Sequence, residues 1–503
     1  MDLFSNLQMG FSIALSPEIL MYCFIGVTLG TVVGILPGIG ALAAIAMLLP
    51  MTYFLSPAAA IIMLAGLYYG ANYGSSTSAI LLNIPGAPSS AITCLDGYPM
   101  ARQGRAGVAL IMTTLASFAG SSMSILLVMA FAPPLAQFAI NFGSPEYFSV
   151  MLLGLLASSS LSQGSFFKGM VMVFAGLLLG MVGLDVNSGV ARYTYGSLNL
   201  QAGISIVAIA MGIFGLAEVL ANIGMRGGNR ISMKDLGWRT YIPTRKDLKQ
   251  SFFPIMRGTA VGAWFGLLPG TGSAIASFIS YAVEKRVSKT PERFGKGAIE
   301  GITAPEAANN SASQAAFIPT LTLGIPGDVV MALMLGALMI HGISVGPRTI
   351  IEHADLFWAL VASFWIGNFM LLVLNAPLIF IWVRLIAIPY QVLYPIILAL
   401  VCVGVYSVNF NTFDIYVVIV AGIIGYVLRV LGFPAAPMLL GFILGPMVEE
   451  NFRRSLMLSR GSFDIFVTRP VSASLLAAGL LFIIIVAWAA MRERQKLQDK
   501  KPD

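Results

Sequence analysis

The feature that most constrains this chain is the length of its uncharged apolar stretches. Between Glu18 and Asp96 there is no Asp, Glu, Lys or Arg. A membrane crossing needs roughly 20 apolar residues, so this stretch alone is long enough for several crossings. Apolar residues make up 57% of the chain and charged residues only 10%, which excludes a water-soluble globular domain.

Further apolar runs with few or no charges follow along the rest of the sequence. They lie at residues 106–145, 147–167, 193–217, 258–283, 307–327, 329–347, 356–383, 385–413, 415–448 and 470–491. Together these runs predict an all-α polytopic membrane protein with about ten to twelve transmembrane helices. The runs are continuously apolar rather than alternating, which argues against a transmembrane β-barrel.

The basic residues are concentrated in a few polar connections, and their positions predict the orientation of the chain. Residues 225–257, the segment 284–300 and the tail 492–501 are all rich in Lys and Arg. The positive-inside rule places such segments in the cytoplasm. This distribution accounts for the net charge of +7 without a nucleic-acid partner.

The uncharged run 258–283 is long enough to cross the membrane once, yet both of its flanks are basic. Its middle carries the sequence LPGTG, in which Pro269 and Gly270 would end one helix and let another begin. We therefore predict a re-entrant hairpin of two short helices. The alternative is a single kinked crossing with an exceptional basic loop outside.

The broken motif occurs twice, which indicates an internal repeat. GILPGIG at 34–40 and GLLPGTG at 266–272 are each followed by a stretch rich in small polar residues and then by IPG, at 84–86 and 325–327. Only the second copy has basic flanks, so we predict an inverted repeat in which the copies insert in opposite orientations. The predicted segments are 1–17 at the N-terminus, membrane repeat 18–220, basic cytoplasmic linker 221–257, membrane repeat 258–450, and a C-terminal helix with a basic cytoplasmic tail at 451–503.

Helix breaks at membrane depth are candidate binding sites, because their free backbone groups need a partner. Proline removes a helical donor, glycine lets a ligand approach the backbone, and the N-terminus of the following helix attracts anions. The alternative is that each Pro-Gly pair merely kinks a packed helix. The predicted helix-break and ion-binding residues are Pro37, Gly38, Gly40, Pro85, Gly86, Pro269, Gly270, Gly272, Pro326 and Gly327.

The small polar residues between the breaks are candidate ligands. Neutral donors can hold a carboxylate without a buried fixed charge, and the same oxygens could instead hold Na⁺. Alternatively, small polar residues mediate helix packing in membranes. The predicted substrate-binding residues are Asn72, Ser75, Ser76, Thr77, Asn83, Asn309, Asn310, Ser311 and Ser313, within a wider set that includes Ser78, Gln314, Thr320 and Thr322.

Three carboxylic acids lie beside these motifs: Asp96, Glu306 and Asp328. Acids inside a membrane often mark ion or proton pathways, so we predict these three as candidate coupling groups. Each could instead lie at a water interface.

Several long stretches resemble one known family. GILPGIGALAAIAMLLPMTY, YYGANYGSSTSAILLNIPGAPSSAITCLDGYPMARQGRAGVAL, LPGTGSAIASFISYAVEK and APEAANNSASQAAFIPTLTLGIPGD are similar to the large membrane subunit of the bacterial tripartite tricarboxylate transporters. The resemblance implies a secondary transporter of the bacterial inner membrane, driven by a Na⁺ or H⁺ gradient and without a resident cofactor. It also implies a small four-helix membrane subunit and a periplasmic solute-binding protein as partners, and citrate or a related organic anion as substrate.

The interpretation that follows is alternating access, with the substrate held between the two copies. The alternatives are a permease subunit of an ATP-driven importer, an ion-gradient carrier for a non-carboxylate solute, and a channel. The chain has no Walker A motif and no HExxH motif, so we predict neither its own ATP hydrolysis nor an enzymatic activity.

Overall fold

The computed structural model describes residues 3–36, 40–161, 166–185, 188–222, 242–268, 272–343, 346–378 and 390–498. This part of the chain is almost entirely helical, and its strands are one short antiparallel pair, β1 (Gly183–Leu184) and β2 (Ala191–Arg192). The predicted all-α class is confirmed. Pro37, Gly38, Pro269 and Gly270 lie outside the described residues, as do residues 223–241 of the predicted linker.

The chain divides into two compact units, each built from two segments. The first unit contains Met1–Ala139 and Ser205–Val427. Its first segment forms α1 (Leu3–Ala14), α2 (Pro17–Ile35), α3 (Gly40–Thr52), α4 (Pro57–Leu82), α5 (Cys94–Met100) and α6 (Ala106–Ala139). Its second segment forms α10 (Ile206–Ala210), α11 (Ala217–Asn222), α12 (Arg245–Leu267), α13 (Gly272–Val287), α14 (Glu300–Ala315), α15 (Phe317–Leu323), α16 (Val329–Ile340), α17 (Thr349–Glu352), α18 (Ala354–Asn375), α19 (Tyr390–Asn409) and α20 (Thr412–Val430).

The second unit contains Ile140–Ile204 and Leu428–Asp503. Its helices are α7 (Ser144–Leu161), α8 (Phe166–Gly180), α9 (Leu198–Gln201), α21 (Ala435–Leu458), α22 (Ile465–Thr468) and α23 (Pro470–Gln498). Arg192 and Arg453 both bind Asp185 and Glu449, so ion pairs join the β1–β2 hairpin to the end of α21. Each unit therefore gathers segments from both halves of the sequence, whereas the repeat boundaries at 18–220 and 258–450 stay a prediction.

Four described helical stretches are long and apolar enough to cross a membrane. They are Pro17–Ile35, Cys94–Ala139, Ala354–Asn375 and Thr412–Val430. Several shorter apolar helices accompany them, among them Gly40–Thr52 and Val329–Ile340. The chain is thus built as a membrane protein, and the count of ten to twelve crossings stays a prediction.

The helices break at both LPGxG motifs, as the sequence predicts. α2 ends at Ile35 and α3 begins at Gly40, while α12 ends at Leu267 and α13 begins at Gly272. Gly40 and Gly272 have φ angles of 68° and 65°. This left-handed conformation favours glycine, which explains why both motifs end in one.

The helices that precede the two IPG sequences also end alike. α4 ends before Asn83, which has a φ of 56°, and α15 ends before Gly324, which has a φ of 70°. A left-handed residue is a common way to end a helix, and Asn and Gly adopt it most readily. α13 is longer than α3, and the connection 288–299 that follows α13 is longer than the connection 53–56 that follows α3.

Rows of glycine lie on α2 and α12, the helices that precede the two breaks. They bring these helices close to α4 and α14, the polar helices that carry the small polar residues. A Cβ atom on Gly26, Gly30 or Gly34 of α2 would overlap the carbonyl oxygen of Met63, Leu67 or Ala71 of α4. In the second copy, a Cβ atom on Gly258, Gly262 or Gly266 of α12 would likewise overlap the carbonyl oxygen of Ala304, Ala308 or Ala312 of α14. Small residues four apart allow this close backbone approach in membrane helices. The two copies thus share one helix-packing arrangement.

Replacing a glycine of this row should separate the paired helices. We expect Gly262→Ala to lower the free energy of unfolding by about 1–3 kcal/mol, because the added methyl group overlaps backbone rather than a movable side chain. The measurement is thermal unfolding of the detergent-solubilised chain. Gly215→Ala is the control, since the nearest atom to its added methyl group is Val401 Cγ2 at 3.9 Å. Equal melting temperatures for the two variants would contradict the packing described here.

Candidate functional site

The polar helices of the two copies, α4 and α14, meet inside the first unit. The Asn72 amide donates a hydrogen bond of 2.7 Å to the Ser313 hydroxyl, and the Ser313 hydroxyl donates one of 2.9 Å to the Asn309 carbonyl oxygen. Asn72 and Ser313 are 2% and 1% exposed. The structure therefore brings together predicted site residues that are far apart in the sequence.

Glu306 lies at the centre of the buried polar residues. Its side chain is 1% exposed, and its Oε1 accepts a hydrogen bond of 2.7 Å from the Thr93 hydroxyl. The side chains of Ser76, Ser117 and Asn309 lie close to the same carboxylate. Glu306 is consequently surrounded by helices of both copies and by α6.

Many polar atoms of these buried residues have no hydrogen-bond partner. In a low-dielectric interior such atoms are costly, so they mark places where a ligand or water is needed. Among the described residues they include Ser76 Oγ, Ser121 Oγ, Glu306 Oε2, Asn310 Oδ1 and both amide atoms of Asn309 and Gln314. We call Ser76, Glu306, Asn309, Asn310, Ser313 and Gln314, together with Asn72, the polar cluster.

The sequence predictions missed the contribution of α6. Ser117, Ser121 and Ser124 are fully buried, and Gly120 between them contacts the backbone of α14 at Ala307. Ser117 accepts a hydrogen bond of 2.8 Å from the Asn310 amide, and Ser124 lies 2.6 Å from the Ser311 hydroxyl. The spacing of serines at i, i+4 and i+7 around a glycine was the available signal, because it puts small polar groups on one helix face.

The hydroxyls of several other predicted residues donate to backbone carbonyl oxygens, and their role as ligands stays a prediction. Ser75, Ser78, Thr320 and Thr322 donate to carbonyl oxygens of their own helices. Ser311 donates to the Thr259 carbonyl oxygen, and Thr77 is buried. Asn83 and Pro85 are exposed at the end of α4, outside the polar cluster.

Within each copy, the LPGxG motif lies close to the segment that contains the IPG motif. Gly86 of the first IPG lies against Gly34, just before the first break, where a Cβ atom would overlap the Gly34 carbonyl oxygen. In the second copy, a Cβ atom on Gly272 would lie 3.7 Å from the Asp328 Cβ, while Gly327 contacts Ala316. Pro326 is also buried there. The first break is therefore packed against the IPG sequence of its own copy, and the second against Asp328, the residue that follows its IPG sequence.

Asp328 joins the second break to the first copy. Its Oδ1 accepts a hydrogen bond of 2.8 Å from the Met331 amide, which caps the N-terminus of α16. Its Oδ2 accepts a short hydrogen bond from the Tyr68 hydroxyl of α4. Tyr68 was absent from the predicted site, although it directly precedes the polar residues of the first copy.

Asp96 organises the connection between α13 and α14. Its Oδ1 accepts hydrogen bonds of 2.8 to 2.9 Å from the amides of Gly295, Gly297 and Ala298, and its Oδ2 accepts one from the Tyr281 hydroxyl. The side chain is fully buried. With both oxygens engaged, Asp96 serves the local structure in this conformation, and its predicted coupling role stays untested.

An ion pair joins the first copy to the start of α12. Arg105 binds Asp247 at 2.6 Å, and the Thr244 hydroxyl and amide also donate to Asp247. Burial alone would raise the pKa of the Asp247 carboxyl, but these hydrogen bonds and the Arg105 charge together lower the pKa below its ordinary value. The acid is therefore ionised and paired at neutral pH.

The donor set of the polar cluster consists of amides, hydroxyls and one carboxylate. No group of three or more His, Cys, Asp or Glu residues that could hold a metal ion occurs in the described part of the chain. The cluster is thus unsuited to transition metals, which prefer imidazole and thiolate ligands. It suits a polar organic ligand or a hard monovalent cation.

Comparison with known proteins gives two kinds of match. The sequence profile of the tripartite tricarboxylate transporter TctA family matches residues 20–440. An Agrobacterium vitis protein described as an uncharacterized 52.8 kDa protein in the TAR-I ttuC' 3' region is 50% identical over 495 residues, 98% of each chain. A second A. vitis protein, described as an uncharacterized protein in the TAR-II ttuC' 3' region, is 51% identical over 234 residues, which are 46% of this chain and 97% of that protein.

Removing the Asp96 carboxylate should release the connection 288–299. We expect Asp96→Ala to increase the rate of tryptic cleavage at Lys289, Arg293 and Lys296, because three backbone donors lose their acceptor at about 1–3 kcal/mol each. Cleavage sites are identified by mass spectrometry of the purified chain. Asp355→Ala, which removes an exposed carboxylate from α18, is the control. Equal cleavage of both variants at these sites would show that Asp96 does not hold the connection.

Proposed function

The chain belongs to the tripartite tricarboxylate transporter TctA family, and from this we propose that it imports tricarboxylates or related organic anions using a Na⁺ or H⁺ gradient. Membership makes it a transporter component rather than an enzyme, the large membrane subunit of a tripartite system. The proposed partners are a small four-helix membrane subunit and a periplasmic solute-binding protein. The proposed location is a bacterial inner membrane, in keeping with the Agrobacterium relatives.

The observation that carries the proposal is the buried polar cluster between the two motif copies. Asn309 and Gln314 are at most 1% exposed, and none of their amide atoms has a hydrogen-bond partner among the described residues. Amide groups placed this way are available to bind a ligand that enters between α4 and α14. Amide N–H and hydroxyl groups are suitable donors for carboxylate oxygens.

The cluster contains no Lys or Arg, and this bears on how an anion could be carried. A di- or tricarboxylate that leaves water here would bring its negative charge into a low-dielectric interior. A cation that enters with the substrate reduces this cost. Coupling to a Na⁺ or H⁺ gradient is therefore the mechanism that best suits a cluster without a positively charged side chain.

Alternating access follows from the position of the cluster between the copies. The helices α4 and α14 that line it pack through glycine against α2 and α12, which end at the two breaks. An inverted relation of the copies would let either side of the membrane reach the same cluster. Hydrogen bonds across the cluster, such as that from Asn72 to Ser313, would then break and form again as the transporter opens to one side of the membrane and then to the other.

Truncation of a cluster amide should weaken transport. We expect Asn309→Ala to reduce substrate uptake into proteoliposomes by about tenfold, as for the loss of one hydrogen bond worth about 1.4 kcal/mol. Uptake is measured with the cognate binding protein and candidate carboxylates, under separately imposed Na⁺ and pH gradients and without nucleotide.

Ser407→Ala is the matched control, because its hydroxyl is away from the cluster and donates only to the Val403 carbonyl oxygen. Unchanged uptake by Asn309→Ala, at equal protein incorporation, would overturn the proposed site. Uptake that requires ATP in the wild type would instead support a permease of an ATP-driven importer.

A further inference from the structure

The Glu306 carboxylate has a position that substrate binding does not explain. It would repel the carboxylate groups of an anionic substrate, yet it lies in the middle of the polar cluster and is 1% exposed. Thr93 satisfies one of its oxygens, and the other, Oε2, has no hydrogen-bond partner. A buried carboxylate left in this state costs several kcal/mol unless a positive charge or a proton joins it.

The neighbours of Glu306 supply no positive charge. The side chains of Thr93, Ser76, Asn309 and Ser117, which lie close to the carboxylate, are all uncharged. Tyr73 and Cys94 also lie within electrostatic range of it, and both are neutral in their ordinary protonated forms. The described neighbours therefore leave the charge of this carboxylate to be balanced by something that enters from outside.

The neighbouring groups do supply oxygen atoms. Ser76 Oγ and Asn309 Oδ1 are buried and have no hydrogen-bond partner, and Ser76 comes from the first copy whereas Asn309 comes from the second. Hydroxyl, amide and carboxylate oxygens are the ligands of hard cations. A single carboxylate with neutral oxygens matches a charge of +1 better than a charge of +2, because Ca²⁺ sites usually contain several carboxylates.

We propose that Glu306 is the anionic ligand of a Na⁺ site that Ser76 and Asn309 complete between the two copies. The bound ion balances the carboxylate and satisfies oxygen atoms that the protein leaves unpaired. It also binds α4 to α14, so that occupation of the site changes the relation of the two copies. As the coupling site of the transporter this inference rests on the proposed function, whereas ion binding itself does not require it.

The test is Na⁺-dependent thermal unfolding of the purified full-length chain without any carboxylate substrate. Melting temperatures are measured over a NaCl series, with choline chloride keeping the ionic strength constant. A ligand that binds only the folded state raises the melting temperature with its concentration. We expect a saturable rise with Na⁺ for the wild type and none for Glu306→Gln. Glu352→Gln, which changes an exposed carboxylate on α17, should retain the wild-type rise.

A second variant covers the case in which Glu306→Gln does not fold. Ser76→Ala removes one neutral oxygen and should raise the Na⁺ concentration at half-maximal effect by roughly tenfold. An equal melting temperature in NaCl and choline chloride for the wild type would overturn the proposal, as would an unchanged Na⁺ response in both variants. A dependence on pH but not on Na⁺ that disappears in Glu306→Gln would also overturn it and would indicate a proton site.

These outcomes are separate from those of the uptake experiment. Because Asn309 belongs to both sites, the separating variant is Gln314→Ala, which removes a cluster amide that is not a ligand of the ion site. A Na⁺ response that Glu306→Gln abolishes, together with normal uptake by Gln314→Ala, would support the ion site and reject the proposed substrate site. Loss of uptake by that variant, in a protein whose wild type shows no Na⁺ response, would support the proposed substrate site and reject the ion site.

Discussion

Close packing of glycine against helix backbone in the first unit positions the polar helices α4 and α14. Gly30 and Gly262 bring α2 and α12 against α4 and α14 so closely that a methyl group would overlap a carbonyl oxygen. Gly120 brings α6 equally close to α14. In a membrane, where lipid is as apolar as leucine, such packing is a main source of helix association. The glycine packing also determines which face of α4 and which face of α14 is turned toward the other copy.

The buried polar side chains fall into two groups with different consequences. Those such as Ser75 and Thr322 donate to carbonyl oxygens of their own helix, which satisfies them without any neighbour. Asn309 and Gln314 make no such bond, and their side-chain amide atoms have no hydrogen-bond partner among the described residues. We propose that the second group makes the region between the copies a binding site rather than a packed interface.

The sequence predicted the local structure well wherever backbone chemistry decides it. Left-handed glycines at 40 and 272, the ends of the helices at the LPGxG motifs and the buried polar residues of α14 all agree with their motifs. It could not reveal which distant residues would meet. The bond from Tyr68 to Asp328 and the amides held by Asp96 are tertiary contacts between segments far apart in the chain. For the same reason the serines of α6 were overlooked, since on their own they resemble ordinary small packing residues.

The measurement that tests the central claim most directly is a reversible cross-link between the two copies. Cysteines at Asn72 and Ser313 would replace a hydrogen-bonded pair of 2.7 Å, in a chain whose native cysteines Cys23, Cys94 and Cys402 have been replaced. We expect oxidation to form a disulfide, detected by mass spectrometry, and to stop uptake until a reductant restores it. Complete cross-linking with uptake continuing at the uncross-linked rate would contradict movement of the copies about this contact.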